Sequence, residues 1–485
     1  MKTINSSILN WIGERKGLIV AILVSIVILL LPQPEPIAFG DDLVALTADG
    51  QKMLALLALV MIVFVTEALP VGALVFVVYS WLVFLNIGEP EEVVKLFGHD
   101  APWFLLGALM IASVLVKHGI HKRVLVVILR FAGYRVRNIV FGIVSFCAIA
   151  AAFIADHTIA AMMLPVALAM INSTGGFDKN PNLSKLLLFA IAYGASIGGL
   201  GTPSGGGRNV VMIGFLKDYF DVSIHYGAWM IMALPILLIL IPFVVFVLMK
   251  TFPPERKELK SEMQEIQSEI MLNPMRKSQW VVIAIFLMIL LMLITQGESG
   301  LGVIVMFGAL VYLVFGLAEW KDYQKINWGI GLLYFGAVAF GSALRATGAA
   351  TWLAANISLL SSSVLGISGG TPLIGVSVVF TSMFSQFVSD GPAVASVGPV
   401  FLEMARLSGT DPVSLGIAVA ISSAFAFALV IGTPPNAIIY GTGYVKGKDF
   451  LKAGIPLYLI SIIILMIVVK FWWLGVLGVG LDGFH

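Results

Sequence analysis

The sequence predicts an all-α polytopic membrane protein of about eleven transmembrane helices, arranged as two inverted repeats that each contain a re-entrant helical hairpin and a broken helix. Three observations predict it. Of the 485 residues, 59% are hydrophobic and only 12% charged, with a mean hydropathy of +1.01. The apolar residues fall into separate runs of about 17 to 25, the length of a spanning helix rather than a barrel strand. Two runs are interrupted by polar tips: Asp156, His157 and Thr158 in the first, Ser389, Asp390 and Gly391 in the second. Finally, Gly107 and Gly119 pair with Gly336 and Gly348, tip pairs with tip, and Gly201, Thr202 and Pro203 pair with Gly432, Thr433 and Pro434, all about 230 positions apart. An odd number of spans lies between equivalent points, so the second unit traverses the bilayer in the opposite sense.

The first span, 18–31, follows Lys2, Arg15 and Lys16, which places the N-terminus in the cytoplasm by the positive-inside rule. Spans 53–69 and 71–87 lead to an acidic outside loop with Glu89, Glu91, Glu92 and Asp100. The fourth, 103–116, continues past Gly119 into a basic, cytoplasmic segment with Lys117, Lys122, Arg123, Arg130, Arg135 and Arg137. The first hairpin, 138–172, then enters and returns inside. A fifth span, 186–200, breaks at GTPSGGGRN, and a sixth, 229–249, reaches the polar stretch 250–278, whose mixed charge and weak helical pattern read as a surface helix joining two halves. Spans 280–294, 301–317 and 328–344, an outside connection at 351–370, the second hairpin at 376–405, a span at 413–431 that breaks at GTPPN, and a last crossing at 455–469 complete the plan. The expected units are 1–50 with the first helix, 51–250 as the first repeat, a cytoplasmic linker at 251–278 and 279–485 as the second repeat. The C-terminus falls outside, and the cell (inner) membrane is the expected location.

The net charge of +2 and loop-borne basic residues report topology and imply no nucleic-acid partner. The single cysteine, Cys147, excludes an intrachain disulfide and a thiolate metal cluster. An ionisable pair in hydrocarbon has a partner or a purpose, and unwound backbone at that depth survives only against protein or water. Its freed N–H groups and the half-helix N-termini can hold carboxylate oxygens. Where the tips meet the broken loops, the candidate substrate-binding residues are Asp156, His157, Thr158, Thr202, Arg208, Asn209, Ser389, Asp390, Gly391, Thr433, Pro434 and Asn436. An intramembrane enzyme needs a nucleophile and a base, yet Ser389 with Asp390 has no His nearby, and no HExxH occurs. A channel is disfavoured by dead-end hairpins. GGGR lacks the ending and the preceding strand of a phosphate loop. Glu67 at a span end reads as structural, Lys117, His118 and His121 as an interface, and Arg345 as snorkelling outward.

The segments VTEALP, AAMMLP after the first tip and GTPPN resemble those of the divalent anion/sodium symporters, the INDY-type dicarboxylate transporters, over nearly the whole chain. The resemblance implies a homodimer, free of cofactors, that carries di- or tricarboxylates by moving a transport domain against a scaffold. In the family each tip carries Ser-Asn-Thr for the substrate carboxylates, while neighbouring backbone and the broken loops hold sodium. Here the tips read Ala155-Asp156-His157 and Ser389-Asp390-Gly391, so only Ser389 is retained, and four extra residues in the first loop bring in Arg208. His157 and Arg208 fall where the family places its first sodium. A fixed guanidinium there points to the sodium-independent exchanger branch, carrying succinate- or 2-oxoglutarate-like anions, because an empty carrier would hold a buried unpaired cation. A sodium- or proton-coupled symporter is the alternative, and an ion pair between Arg208 and Asp156 is the structural counterpart of substrate contact.

Overall fold

The computed structural model describes residues 15–39, 42–120, 123, 132–259, 274–295 and 300–478. Lys2, His121, Lys122, Arg130 and residues 260–273 of the 251–278 linker lie outside the described residues. The described chain is helical almost throughout. Helices α1 (Lys16–Leu30), α2 (Ala48–Thr66), α3 (Leu74–Phe84) and α4 (Asp100–Lys117) precede the first hairpin, formed by α5 (Val136–Ala151) and α6 (Asp156–Ser173). The first broken helix is α7 (Pro181–Gly198) followed by α8 (Gly207–Phe220), and α9 (Tyr226–Thr251) closes that half. The second half comprises α10 (Lys277–Thr295), α11 (Leu301–Val314), α12 (Trp328–Ala346), α13 (Ala349–Leu365), the hairpin α14 (Gly370–Ser385) and α15 (Asp390–Ser408), the broken helix α16 (Pro412–Ser423) and α17 (Pro434–Tyr440), and α18 (Gly447–Val468). Among the described residues, six helices are long and apolar enough to cross a membrane, and shorter apolar helices accompany them.

Helix boundaries follow local chemistry. Thr47 caps α2 by accepting from Gly50 N, Asp411 caps α16 through Ser414 N at 2.7 Å, and Pro181 and Pro412 open α7 and α16, where a missing N–H costs nothing. Glu67 ends α2 in the left-handed conformation, so its backbone has the structural part expected of it. Lys117 pairs with Asp322 at 2.6 Å and His118 contacts Leu317 O at 2.8 Å, so both tie α4 to the 317–322 segment within the chain. Arg345 is exposed, and it donates to the carbonyls of Asp218 and Tyr219 and stacks over the Tyr219 ring, capping the last turn of α8, where a cation is favoured.

The polar-tipped hairpins and both breaks are present, with three differences from the sequence-based expectation. The second break is longer: α16 stops at Ser423, well before the expected GTPPN, because side chains from elsewhere satisfy the carbonyls of Phe425, Ala426 and Leu429. The 351–370 connection is the helix α13, flanked by left-handed Gly348 and Gly366, with Ala350, Ala354 and Ala355 fully buried. A small antiparallel ribbon, Ile37–Phe39 with Asp42–Val44, lies between α1 and α2.

The first arms of the two broken helices lie deep in the interior. Every residue of α16 is buried, as is α7 from Leu183 onward apart from the half-buried Lys185. α7 lies against α5 at backbone contact, because a Cβ on Gly198 would run into the Ala148 carbonyl. Gly198→Val should therefore lower stability by roughly 1–3 kcal/mol, the range for overpacking. Gly447→Ala, which meets nothing within 4 Å, should leave it within about 0.5 kcal/mol; detergent-solubilised thermal melting compares them.

Candidate functional site

Four half-helices begin at the tips and the breaks: α6 at Asp156, α8 at Gly207, α15 at Asp390 and α17 at Pro434. Arg208, the second residue of α8, is 2% exposed. Its Nη1 donates to Asp390 Oδ2 and lies 4.0 Å from Asp156 Oδ2, so one guanidinium joins both hairpin tips. At that separation and an effective dielectric constant of about 20, a unit charge pair attracts by about 4 kcal/mol. Each carboxylate turns its other oxygen to the start of its own helix. Asp156 Oδ1 accepts from His157 N at 2.6 Å, and Asp390 Oδ1 from Gly391 N at 2.7 Å, where the helix dipole favours an anion. His157 Nδ1 stands 3.5 Å from Asp156 Oδ1.

The expected Arg208–Asp156 pair is thus formed mainly with Asp390, and the buried cation expected to be unpaired has a partner. One guanidinium faces two carboxylates, so with His157 neutral the cluster carries a net negative charge. Arg208 nevertheless retains unused donors. Its Nε and Nη2 are buried without a hydrogen-bond partner, and these two form the edge that forks a carboxylate. The guanidinium rests on the first broken loop: a Cβ built on Gly199 would lie 2.7 Å from Nη2.

Tyr334 of α12 completes the cluster and carries no signal in the sequence. It is 5% exposed, and its ring and hydroxyl occupy the space that a Cβ would take at Gly207 and Gly391. An aromatic residue in an apolar span is ordinarily core; only the packing of α12 on α8 and α15 brings it to Arg208 and Asp390.

The remaining candidates hold backbone. Asn209 Nδ2 donates to Gly199 O and Thr202 O, both at 2.8 Å, and Thr202 Oγ1 donates to the Ala152 carbonyl of the first tip. In the second half Asn436 Nδ2 donates to Ala426 O at 3.1 Å and Leu429 O at 2.9 Å. Thr433 Oγ1 accepts from Ser196 at 3.3 Å. The counterpart of the Thr202 tie is Gln386, which sequence reasoning passed over although it stands as an amide in an apolar arm. It donates to Phe425 O at 2.9 Å and accepts from Ala428 N at 3.0 Å. Thr158 and Ser389 lie half-buried at the tips, whereas Pro434 is exposed. The Oδ1 atoms of Asn209 and Asn436 are buried without a partner.

Residues 14–479 match the family described as the sodium:sulfate symporter transmembrane region. The chain is 26% identical over 505 residues to the sodium-dependent dicarboxylate transporter SdcS of Staphylococcus saprophyticus, covering 96% of this chain and 93% of that protein. It is 27% identical over 441 residues to an uncharacterized transporter of Haemophilus influenzae, covering 87% and 91%. Among solved structures, MtrF of Neisseria gonorrhoeae, from a class of antimetabolite efflux pumps, matches with a TM-score of 0.59 at 13% identity, covering 94% of each chain. The YdaH transporter of Alcanivorax borkumensis matches with 0.57 at 12% identity, covering 95% of this chain and 97% of that one. These two likenesses concern the fold alone.

The cluster predicts a double-variant signature. Arg208→Met, which leaves two buried carboxylates without their cation, should destabilise the protein by roughly 3–5 kcal/mol. Adding Asp390→Leu should recover more than half of that loss in thermal melting, and purely additive losses would show that the two side chains are not coupled.

Proposed function

The chain belongs to the sodium:sulfate symporter family, and from that premise we propose that it carries dicarboxylates across the membrane by alternating access, with Arg208 as the fixed countercharge of the cargo. The observation that carries this reading is the unfilled Nε and Nη2 edge of a buried guanidinium held between both hairpin tips. A carboxylate of a succinate- or 2-oxoglutarate-like anion would accept from both donors, with Thr158 and Ser389 supplying hydroxyls at the tips. Two repeats of opposite sense, an N-terminus in the cytoplasm and a homodimer complete the proposed architecture.

The guanidinium rests against the first tip and the first broken loop, where the resemblance would place a sodium ion, so the cargo needs no sodium there. Exchange is the favoured mode. When one cargo replaces another on the same side, Arg208 passes from carboxylate to carboxylate without waiting for Asp390 to return. The Arg208–Asp390 pair also gives the buried cation a partner in the empty carrier, so slower net transport is open to it.

A second reading, sodium-coupled symport, is favoured by the buried acceptor Asn436 Oδ1 at the second broken loop and by the names of the staphylococcal relatives. Proteoliposomes loaded with unlabelled succinate should accumulate labelled succinate without sodium. Arg208→Lys should slow that counterflow at least about ten-fold, because a point charge cannot fork a carboxylate. Counterflow that appears only with sodium would overturn the first reading in favour of the second.

A further inference from the structure

Resting on the cargo reading above, we propose that net transport of a dicarboxylate dianion carries two protons with it, one on Asp390 and one on His157. The argument is a count of charges in a closed space. In the empty protein Arg208 faces Asp156 and Asp390 together, and with His157 neutral the cluster has one excess negative charge. A dianion that forks onto Nε and Nη2 brings two more. Three uncompensated negative charges cannot persist in an interior where Arg208 is 2% and Asp156 7% exposed.

The candidates for proton uptake are few and identifiable. Asp390 faces Arg208 from α8, Asp156 and His157 from α6, and the Tyr334 hydroxyl from α12. The other helices packed on α15, namely α13, α14 and α16, contain no ionisable side chain. α2 brings only Asp49 and Lys52, which pair with each other at 2.7 Å. Once the cargo shares the guanidinium through Nε and Nη2, Arg208 no longer offsets Asp390 as well, and Asp390 accepts a proton from water on the side from which the cargo came. His157, 24% exposed with Nδ1 3.5 Å from Asp156 Oδ1, faces that carboxylate and Arg208. Of the ionisable side chains on the helices packed against α6, Arg137 and Lys185 stand at the far ends of α5 and α7, Cys147 is buried against Gly194 of α7, the Tyr193 hydroxyl is spent on Phe427 O, and Tyr440 is exposed at the end of α17. A proton taken from the same water makes His157 an imidazolium paired with Asp156.

With both protons in place the loaded cluster has the same net charge as the empty one, so the protein moves an equal charge in either form. On release, Asp390 and His157 return their protons to water on the far side and Asp390 recaptures Arg208. Net transport is electroneutral, driven by a proton gradient, whereas exchange of one dianion for another moves no net protons.

The test uses the full-length protein in sodium-free proteoliposomes with an empty lumen, a trapped pH-sensitive dye and the membrane potential clamped with potassium and valinomycin. Labelled succinate should accumulate when the outside is acid, with two protons entering per succinate and a steady-state accumulation that does not change with the clamped potential. In Asp390→Asn the count should fall from two to one, whatever the rate. The pH profile should be the same for succinate and for 2-oxoglutarate, whose second carboxyl is more acidic. A profile that tracks the cargo would mean that the protons travel on the cargo and would overturn the proposal. Succinate entry without protons, or counterflow without net uptake under any pH gradient, would overturn it while leaving the cargo reading intact. Failure of counterflow at every pH, with and without sodium, would remove both.

Discussion

A permanent cation enclosed by apolar protein has to be matched where it stands, and the interior of this molecule is arranged around that demand. Arg208 cannot shed its proton, and its desolvation is tolerable only with anionic partners in contact. Two partners come from the first residues of α6 and α15, and each is itself held by the N–H of the following residue. The tips are therefore linked through a residue of the first broken helix rather than through each other. Glycine at positions 207 and 391 is part of the same arrangement, since any side chain there would displace the Tyr334 ring.

The broken helices impose a second demand, because unwound backbone without water needs partners for its carbonyls. Both halves answer it with an asparagine whose amide spans the loop, Asn209 in the first and Asn436 in the second. They diverge in how loop and tip are joined. Thr202 reaches a carbonyl of the first tip, whereas Gln386 reaches from the second arm into its loop. The repeated frame makes two comparable sites, and the four extra residues of the first loop make them unequal by adding a cation to one.

That inequality bears on coupling. A dissolved cation bound with the cargo leaves with it, whereas a side-chain cation stays and must be matched in the unloaded state as well. Asp390 fills that second role, and a carboxylate that alternates between a guanidinium and a substrate-filled site links anion movement to protonation. On the proposed reading, the sodium-dependent relatives and this chain share one frame, with the positive charge supplied by an ion in the former and by the Arg208 side chain in the latter.

Helical spans, the hairpins, the first break and the family were legible in the chain itself. Apolar length, an interrupted run and a recurring spacing are local properties, and the burial and hydrogen bonding that respond to them act within a helix or between neighbours in sequence. The position of Arg208 beside the tips was legible for the same reason, since the loop that carries it recurs in shorter form as GTPPN. Which carboxylate it meets was not. Asp390 lies 182 residues away, and only the packing of α15 against α8 brings it closer than Asp156. Tyr334, Gln386 and the early end of α16 share that origin: each depends on a partner from a distant element, and a long-range contact leaves no periodicity in the sequence by which it can be read.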